Sequence, residues 1–447
     1  MYRLVNWVFD RINEISPVII QTPQPRSFGN GAEEMFYGLI RARREKKKVV
    51  FLYPRPRLLG RGFSIANKEL YGLQSEYFHS NQGLVGLIGG YFLSAYLLFL
   101  YLLYFVRHSR RIRRVLQVAL PSIPIEATPD SGYLAPELGK RSLWKPVGRD
   151  SFSWKVWDDQ NWQQYYQDFS PPHLSPHKRR DAERTRVRMG IPLGDWFVCL
   201  HVSESDPPMA RNASILNYLE AMESITAAGG WVVRLGGPGM TALPTMERVI
   251  DYSHSSYRSE LMDLYWIEQC RFFVGLTSGP NVVANLLKKP MVLVNLSEWS
   301  LGFVLKKGDL GILRHTFSRS RNRFLSVSEI LKEPFEVQTY KDPGDDYVVI
   351  ENTSEEIRQV IEEFMAQQEL FEYSSLQVEF NAARQRQIRE WIGQGEPRTW
   401  RGVPSRDIPF QQYRLAALTN VEGTLGHKYL EQNWAKDGLD ESIVTAS

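Results

Sequence analysis

Along the second half of the chain, short apolar runs alternate with segments of helical spacing, and this alternation predicts a fold. WFVCLHV (196–202), WVVRLG (231–236), VIDY (249–252), RFFVGL (271–276) and MVLV (291–294) are rich in β-branched and aromatic residues, as buried strands are. Between them, RDAERTRVRMGI (180–191), SILNYLEAMESITAAGG (214–230), SELMDLYWIEQC (259–270) and NVVANLL (281–287) place apolar residues every three or four positions. Strands alternating with helices predict an α/β fold with a parallel, doubly wound sheet, whose ligands bind beyond the carboxyl ends of the strands.

The first half is less regular. Residues 33–75 read as helix, strand, loop and helix: an amphipathic stretch ending in KKK, the run VVFLY (49–53), the loop PRPRLLGRG (54–62) and the helical IANKELYGLQSEYF (65–78). Residues 121–178 are rich in Pro, Trp and Tyr and read as a connection between domains. After residue 300 comes a polar segment, KKGDLGILRHTFSRSRNRFLS (306–326), then the amphipathic helix TSEEIRQVIEEFMAQQELF (353–371) and a C-terminal helical region. The expected organisation is an N-terminal α/β domain (1–150), an aromatic-rich linker (151–180), a Rossmann-like domain (181–345) and a helical region (346–447).

Residues 83–106 change this picture. GLVGLIGGYFLSAYLLFLYLLYFV is 24 residues without a charge, and a bilayer span takes roughly 20. RHSRRIRR (107–114) follows, as a cytoplasmic flank would. A single crossing conflicts with VVFLY lying in the same cytoplasmic domain. A monotopic helix, with the basic run on anionic headgroups, removes the conflict, and a buried helix of a soluble domain is the competing reading. The N-terminus itself lacks an uninterrupted apolar core of the export-signal type.

Composition excludes several classes. With 43% hydrophobic and 23% charged residues the chain is globular, and a net charge of +4 does not point to nucleic acid. The basic clusters RARREKKK (41–48), RHSRRIRR and HKRR (177–180) lack the interleaved aromatics that stack on bases. The two cysteines, Cys199 and Cys270, sit in apolar runs and read as buried thiols of a reducing compartment. The sequence has no phosphate loop of Walker type, no H-E-x-x-H, no G-x-S-x-G and no Asp-x-Asp.

The candidate chemistry lies at the strand ends. His201 ends the first strand, and HVSESDPPMARN (201–212) brings Arg211 and Asn212 to the mouth of the sheet. Arg234 ends the second strand and Asp251 the third; Glu260 and Asp263 fall in the first turns of the next helix; Thr277, Ser278 and Gly279 follow the fourth strand. Singly, each has a plain structural explanation: a salt bridge for an arginine, packing for His201, an N-cap for the hydroxyl turn, a helix cap for the carboxylates. Jointly they fit a diphosphate, which is held by guanidinium forks and by the N–H groups of a helix N-terminus.

From CLHVSESD through RNASILNYLEAMESITAAGGWVVRLGG to FFVGLTSGPNVVANLLKKPMVLVN, the chain resembles a family of bacterial glycosyltransferases associated with surface-polysaccharide gene clusters. The resemblance rests on the His-Val strand end, the Arg-Asn pair, W-V-x-R-L-G, the D-Y-x-x-S turn and the T-S-G turn. It implies a GT-B-like fold, two Rossmann-like domains facing a cleft, with the N-terminal one on the acceptor side. The implied co-substrate is a nucleotide-diphosphate sugar; the absence of Asp-x-Asp points to transfer with no metal, and the apolar run 83–106 together with the family context points to a glycan or lipid-linked glycan acceptor at the cytoplasmic face of the inner membrane. Hexosyl or deoxyhexosyl transfer is the implied reaction. By carry-over, His201 and Arg211 are catalytic, while Asn212, Arg234, Asp251, Thr277, Ser278 and Gly279 bind the donor; Glu260, by its place in the first turn of a helix, is a further donor-binding candidate, for a ribose or base. The chain departs from a His-x-Arg pattern known in fucosyltransferase-like enzymes, because Ser203 stands where a basic residue is expected. The catalytic base stays open among Glu76, Asp130 and Asp150, with His201 a further candidate because a strand-end imidazole titrates near neutral pH. A non-catalytic sugar-nucleotide or glycan-binding subunit and a nucleotide-dependent epimerase are the other readings.

Overall fold

The strand runs of the second half assemble into one sheet. In the computed structural model of the chain, the described residues are 18–21, 28–51, 66–79, 170–204, 211–296, 306–333, 345–367, 371–393, 399–400, 403–404 and 421–434, with the isolated residues 15, 88 and 91. The chain divides into two units, Met1–Phe152 and Ser153–Ser447.

In the first unit, β1 (Val18–Gln21), β2 (Lys48–Phe51) and β3 (Phe78–His79) form a parallel sheet in that order. Helix α1 (Phe28–Glu45) buries Ala32, Met35, Phe36, Leu39 and Ile40. The helix expected over 65–78 is instead a single 3₁₀ turn, Glu69–Gly72, followed by β3. Asn67 Oδ1 accepts the Leu70 N–H at 3.1 Å, and Leu73 turns extended directly after Gly72, so the turn does not propagate. Among the described residues no helix is long and apolar enough to cross a membrane. The apolar segment 83–106 lies outside the described residues except for Ile88 and Tyr91, both exposed.

The second unit is built on β4 (Phe197–His201), β5 (Trp231–Leu235), β6 (Val249–Ile250), β7 (Phe273–Gly275), β8 (Met291–Leu296), β9 (Leu310–Leu313) and β15 (Thr424–Leu425). Their order is β15-β9-β8-β7-β4-β5-β6, and every pairing is parallel. This is the parallel α/β sheet that the alternation of strands and helices predicts. Strands β4 and β8 are buried along their whole length, which is why they read as continuous apolar runs rather than alternating ones.

Helices fall where the spacing predicts them: α2 (Pro176–Arg188), α3 (Leu219–Ala227), α4 (Glu260–Gln269), α5 (Gly279–Leu286) and, later, α7 (Ser354–Gln367). The segment 214–230 enters its helix through a 3₁₀ turn, Ile215–Tyr218, whose N-cap Ser214 accepts from Leu216. On α4, Trp266 is fully buried and meets Phe197, Tyr265 and Tyr252 edge-on, with centroids 5.2, 5.4 and 6.0 Å away. On α7, Phe364 packs against Phe272 at 5.0 Å, joined by buried Ile357, Val360 and Ile361. Cys199 and Cys270 are buried free thiols, and burial raises both, Cys270 to about 11.

The polar segment 306–326 holds more structure than its composition predicts. It supplies β9 to the main sheet, then β10 (His315–Ser318) and β11 (Arg323–Phe324), which pair antiparallel with each other and, through β10, with β12 (Tyr347–Ile350). The short α6 (Val327–Ile330) follows β11. The C-terminal region contributes α8 (Ser375–Gly393), the two-residue strands β13 (Thr399–Trp400) and β14 (Val403–Pro404), β15 and α9 (His427–Asn433).

Candidate functional site

The direction of strand addition reverses between β4 and β7. From β4 the chain builds β5 and β6 on one side, then returns through α4 to start β7 on the other. Strand ends that diverge at such a point leave a crevice, and ligands of doubly wound sheets bind there. Here β4 ends in His201, and β7 runs on into Leu276, Thr277 and Ser278. His201 Nδ1 and Ser278 Oγ lie 3.2 Å apart across the divergence. Gly275 permits this approach: a Cβ at that position would lie 2.7 Å from the Phe273 ring and 3.1 Å from the His201 carbonyl oxygen.

His201 is buried, and its surroundings oppose protonation. Burial, then the charges of Arg234 and Arg211, lower its pKa to about 4. This corrects the expectation of titration near neutrality, because a strand-end imidazole does so only when water or an anion receives its charge. At pH 7 His201 is a neutral ring that donates one hydrogen bond and accepts another.

Arg234 is fully buried, with a relative exposure of 0%. Its Nη1 donates to Asp251 Oδ1 at 3.2 Å and to Ser253 Oγ, and its Nη2 donates to Glu204 Oε1 at 3.3 Å. The second oxygen of each carboxylate takes a backbone N–H from the loop after β5: Thr241 to Glu204 at 2.7 Å and Leu243 to Asp251 at 2.9 Å. In that loop Gly236 has φ +159°, and the Met240 sulfur fills the space a Cβ would need. Burial, the largest influence on Asp251, raises its pKa, but Ser253, the Leu243 amide, Arg234 and His254 together outweigh it and leave the carboxyl below its ordinary range. Both terminal nitrogens of this guanidinium are engaged, while its buried Nε has no hydrogen-bond partner. Asp251, with four partners, reaches a ribose only by giving one up.

In the hydroxyl turn, Ser278 is the N-cap of α5 and closes a capping box with Asn281, whose Oδ1 accepts the Ser278 N–H at 3.1 Å. Pro280 brings no N–H to the first turn. Thr277 Oγ1 is buried without a hydrogen-bond partner, and Gly279 opens the helix. Glu260 opens α4 behind its N-cap Ser259, and Asp263 accepts the Tyr252 hydroxyl at 3.0 Å. Asp263 thus serves a buried tyrosine, and burial raises its carboxyl.

Arg211 and Asn212 lie just before a peptide group that is held at both its polar atoms. Ala213 N–H donates to the Ser203 carbonyl at 3.2 Å, just past β4, while the Asn212 carbonyl accepts from Arg314 Nη2, just past β9. Arg211 is near enough for its charge to depress His201. Arg314, 5% exposed, also donates through Nε to the Asn295 carbonyl at 3.2 Å. Asn295, in the left-handed region at φ 54°, exchanges hydrogen bonds with Asn352 at 2.7 and 2.8 Å. Of the base candidates, Glu76 is exposed just before β3, and Asp130 and Asp150 lie outside the described residues. Among the described residues no group of three or more His, Cys, Asp or Glu side chains is placed to hold a metal ion.

Sequence reasoning missed Glu204, Ser253, His254 and Arg314. The D-Y-x-x-S turn spans Ser253 and His254 without assigning them a role, and the apolar run LGIL, followed by Arg314, is the signal for a further strand end.

The chain matches no protein-family model and no curated protein. Among solved structures it is similar to the glycosyl transferase family 9 protein from Veillonella parvula DSM 2008. That similarity is at 15% identity and a TM-score of 0.23, over 30% of this chain and 40%, less than half, of that one.

Proposed function

We propose that the second unit binds the diphosphate of a nucleotide sugar at the β4–β7 divergence, and that the protein is a metal-independent glycosyltransferase. One observation carries this reading. The switch point of the sheet coincides with a neutral histidine, an unpartnered Thr277 hydroxyl at the head of a helix, and the cation Arg211. In this role Arg211, the Gly279 N–H and the Thr277 hydroxyl take up the charge that develops on the departing diphosphate. His201, neutral at pH 7, orients Ser278 and the donor rather than removing a proton. The candidates for the base remain Glu76, Asp130 and Asp150, or a group of the acceptor.

The proposed acceptor is a glycan or lipid-linked glycan of a bacterial surface polysaccharide. The apolar run 83–106 and its basic flank support a seat on the cytoplasmic face of the inner membrane. Arg234 supports a different role from the expected one: it holds Glu204 and Asp251, and through them the loop after β5. A second reading, a non-catalytic sugar-nucleotide-binding subunit, draws support from the same arginine. Arg234 is held by two carboxylates, and Ser203 stands in a place where a cation was expected.

The test is a thermal-shift screen of the detergent-solubilised full chain against UDP, GDP, CDP, ADP and dTDP. A shift by one nucleotide that Arg211→Ala and Thr277→Val abolish, and that EDTA leaves intact, supports the site. No shift with any nucleotide overturns it. Binding without turnover of the matching sugar nucleotide, across a panel of acceptors, favours the second reading.

A further inference from the structure

Resting on the proposed diphosphate site, we infer that Arg314 is the residue that positions Arg211, so that the end of β9 sets the anion affinity of a crevice at β4 and β7. Arg211 follows the described end of β4 by several residues and rides on a segment without regular structure. Such a segment holds a cation in place only if its backbone is tied down, and two ties act on the peptide group that follows Arg211 by one residue. One is the Ala213 N–H on the Ser203 carbonyl at 3.2 Å. The other is Arg314, whose Nη2 takes the Asn212 carbonyl while its Nε takes the Asn295 carbonyl at 3.2 Å.

The second tie is rigid for a physical reason. A guanidinium presents Nε and Nη2 in one plane at fixed angles, so its two carbonyl acceptors are held at a fixed separation, which a lysine cannot do. Asn295 is itself fixed by reciprocal bonds with Asn352 and by a bond from its Nδ2 to the Tyr218 hydroxyl at 3.1 Å. Asn352 Nδ2 in turn donates to the Leu313 carbonyl at 2.7 Å, beside Arg314 in the chain. The neighbouring carboxylate Glu351 accepts from the Ser214 N–H at 2.9 Å and from Asn217 at 3.1 Å, tying down the residues just after Asn212. Arg314, 5% exposed, feels the charge of Glu351, but its side-chain hydrogen bonds are to the Asn212 and Asn295 carbonyls. Bonds to backbone carbonyls are the signature of a residue that fixes chain position.

The experiment is a double-mutant cycle read by the affinity of the full chain for inorganic pyrophosphate, which reports the anion site without depending on the base. Arg211→Ala and Arg314→Met are each expected to weaken pyrophosphate about tenfold, the scale of a lost hydrogen bond to a charged group. If Arg314 works through Arg211, then Arg314→Met has no further effect in the Arg211→Ala background. Additive losses, or no loss in Arg314→Met, overturn the inference. Should Arg314→Met fail to fold, Arg314→Lys enters the same cycle, with a similar loss expected because the planar fork is gone. Should the wild-type chain bind no pyrophosphate, the site reading fails by itself. Amide exchange over residues 211–217 then decides the positioning role: faster exchange in the Arg314 variant upholds it, and unchanged exchange removes it.

Discussion

Glu204 and Asp251 hold opposite sides of one buried guanidinium, that of Arg234, at 3.3 and 3.2 Å, and each reaches with its other oxygen to the loop after β5. Removing Arg234 therefore leaves two carboxylates facing each other and frees the loop. Arg234→Met is expected to destabilise the second unit by about 3 kcal/mol, the lower end for a broken buried pair, because both carboxylates retain some water. Denaturant midpoints measure this, and a loss below about 1 kcal/mol would show the hub to be dispensable.

Asp251 gives the hub an acid limit. Its folded pKa lies below the ordinary 3.8, so its contribution is full above that value and is lost as pH falls through the folded value. The stability gap between wild type and Asp251→Asn is expected to be constant from pH 7 down to about pH 5 and to close below about pH 4. A gap that widens on acidification contradicts the assignment.

His201 acts over a higher window. Folded, it titrates at about 4 against 6.5 when free, so below pH 6.5 the unfolded chain takes up a proton that the folded one refuses. Stability attributable to His201 is complete above 6.5 and declines as pH falls to 4, by about 3 kcal/mol in all. His201→Gln is expected to flatten this part of the profile. Imidazole NMR signals that shift between pH 5.5 and 7.5 would show a ring with access to water or an anion.

Gly275 tests the approach of β4 and β7. Gly275→Val places carbon where the Phe273 ring and the His201 carbonyl stand. It is expected to destabilise by about 1–3 kcal/mol through overpacking and to separate His201 from Ser278. Nucleotide affinity should fall by more than the stability loss accounts for, as seen by calorimetry well below the unfolding transition.

Trp266→Ala probes the core independently of the crevice. Losing the edge-on contacts with Phe197, Tyr252 and Tyr265 is expected to cost about 3–5 kcal/mol. An unchanged denaturant midpoint would contradict the packing described.

The strand runs were legible because burial on both faces keeps most of their length apolar, as in FVCL of β4 and MVLV of β8. The helix α4 was legible through Ser259 at its cap and Trp266 on its buried face. Residues 306–326 were not, because β9 is a four-residue strand bounded by Lys, Asp and Arg: Lys306 and Asp309 pair with each other, and Arg314 bonds to a carbonyl far along the chain. Of the site, the residues at strand ends were legible, but their partners were not. Sequence places Arg234 beside a strand end; that Glu204 and Asp251 close on it follows only from the parallel register of β4, β5 and β6.

Strand β15 closes one edge of the sheet with residues that lie more than a hundred positions after its neighbour β9: Thr424 pairs with Leu310, and Gly426 N–H reaches the Gly311 carbonyl at 2.9 Å. During synthesis β9 therefore emerges with one side bare and waits for this late strand, an open edge of the kind that recruits other chains. A chain stopped before residue 420 keeps every crevice residue yet presents that edge permanently, so association and turnover by quality control, rather than loss of chemistry, is its expected fate.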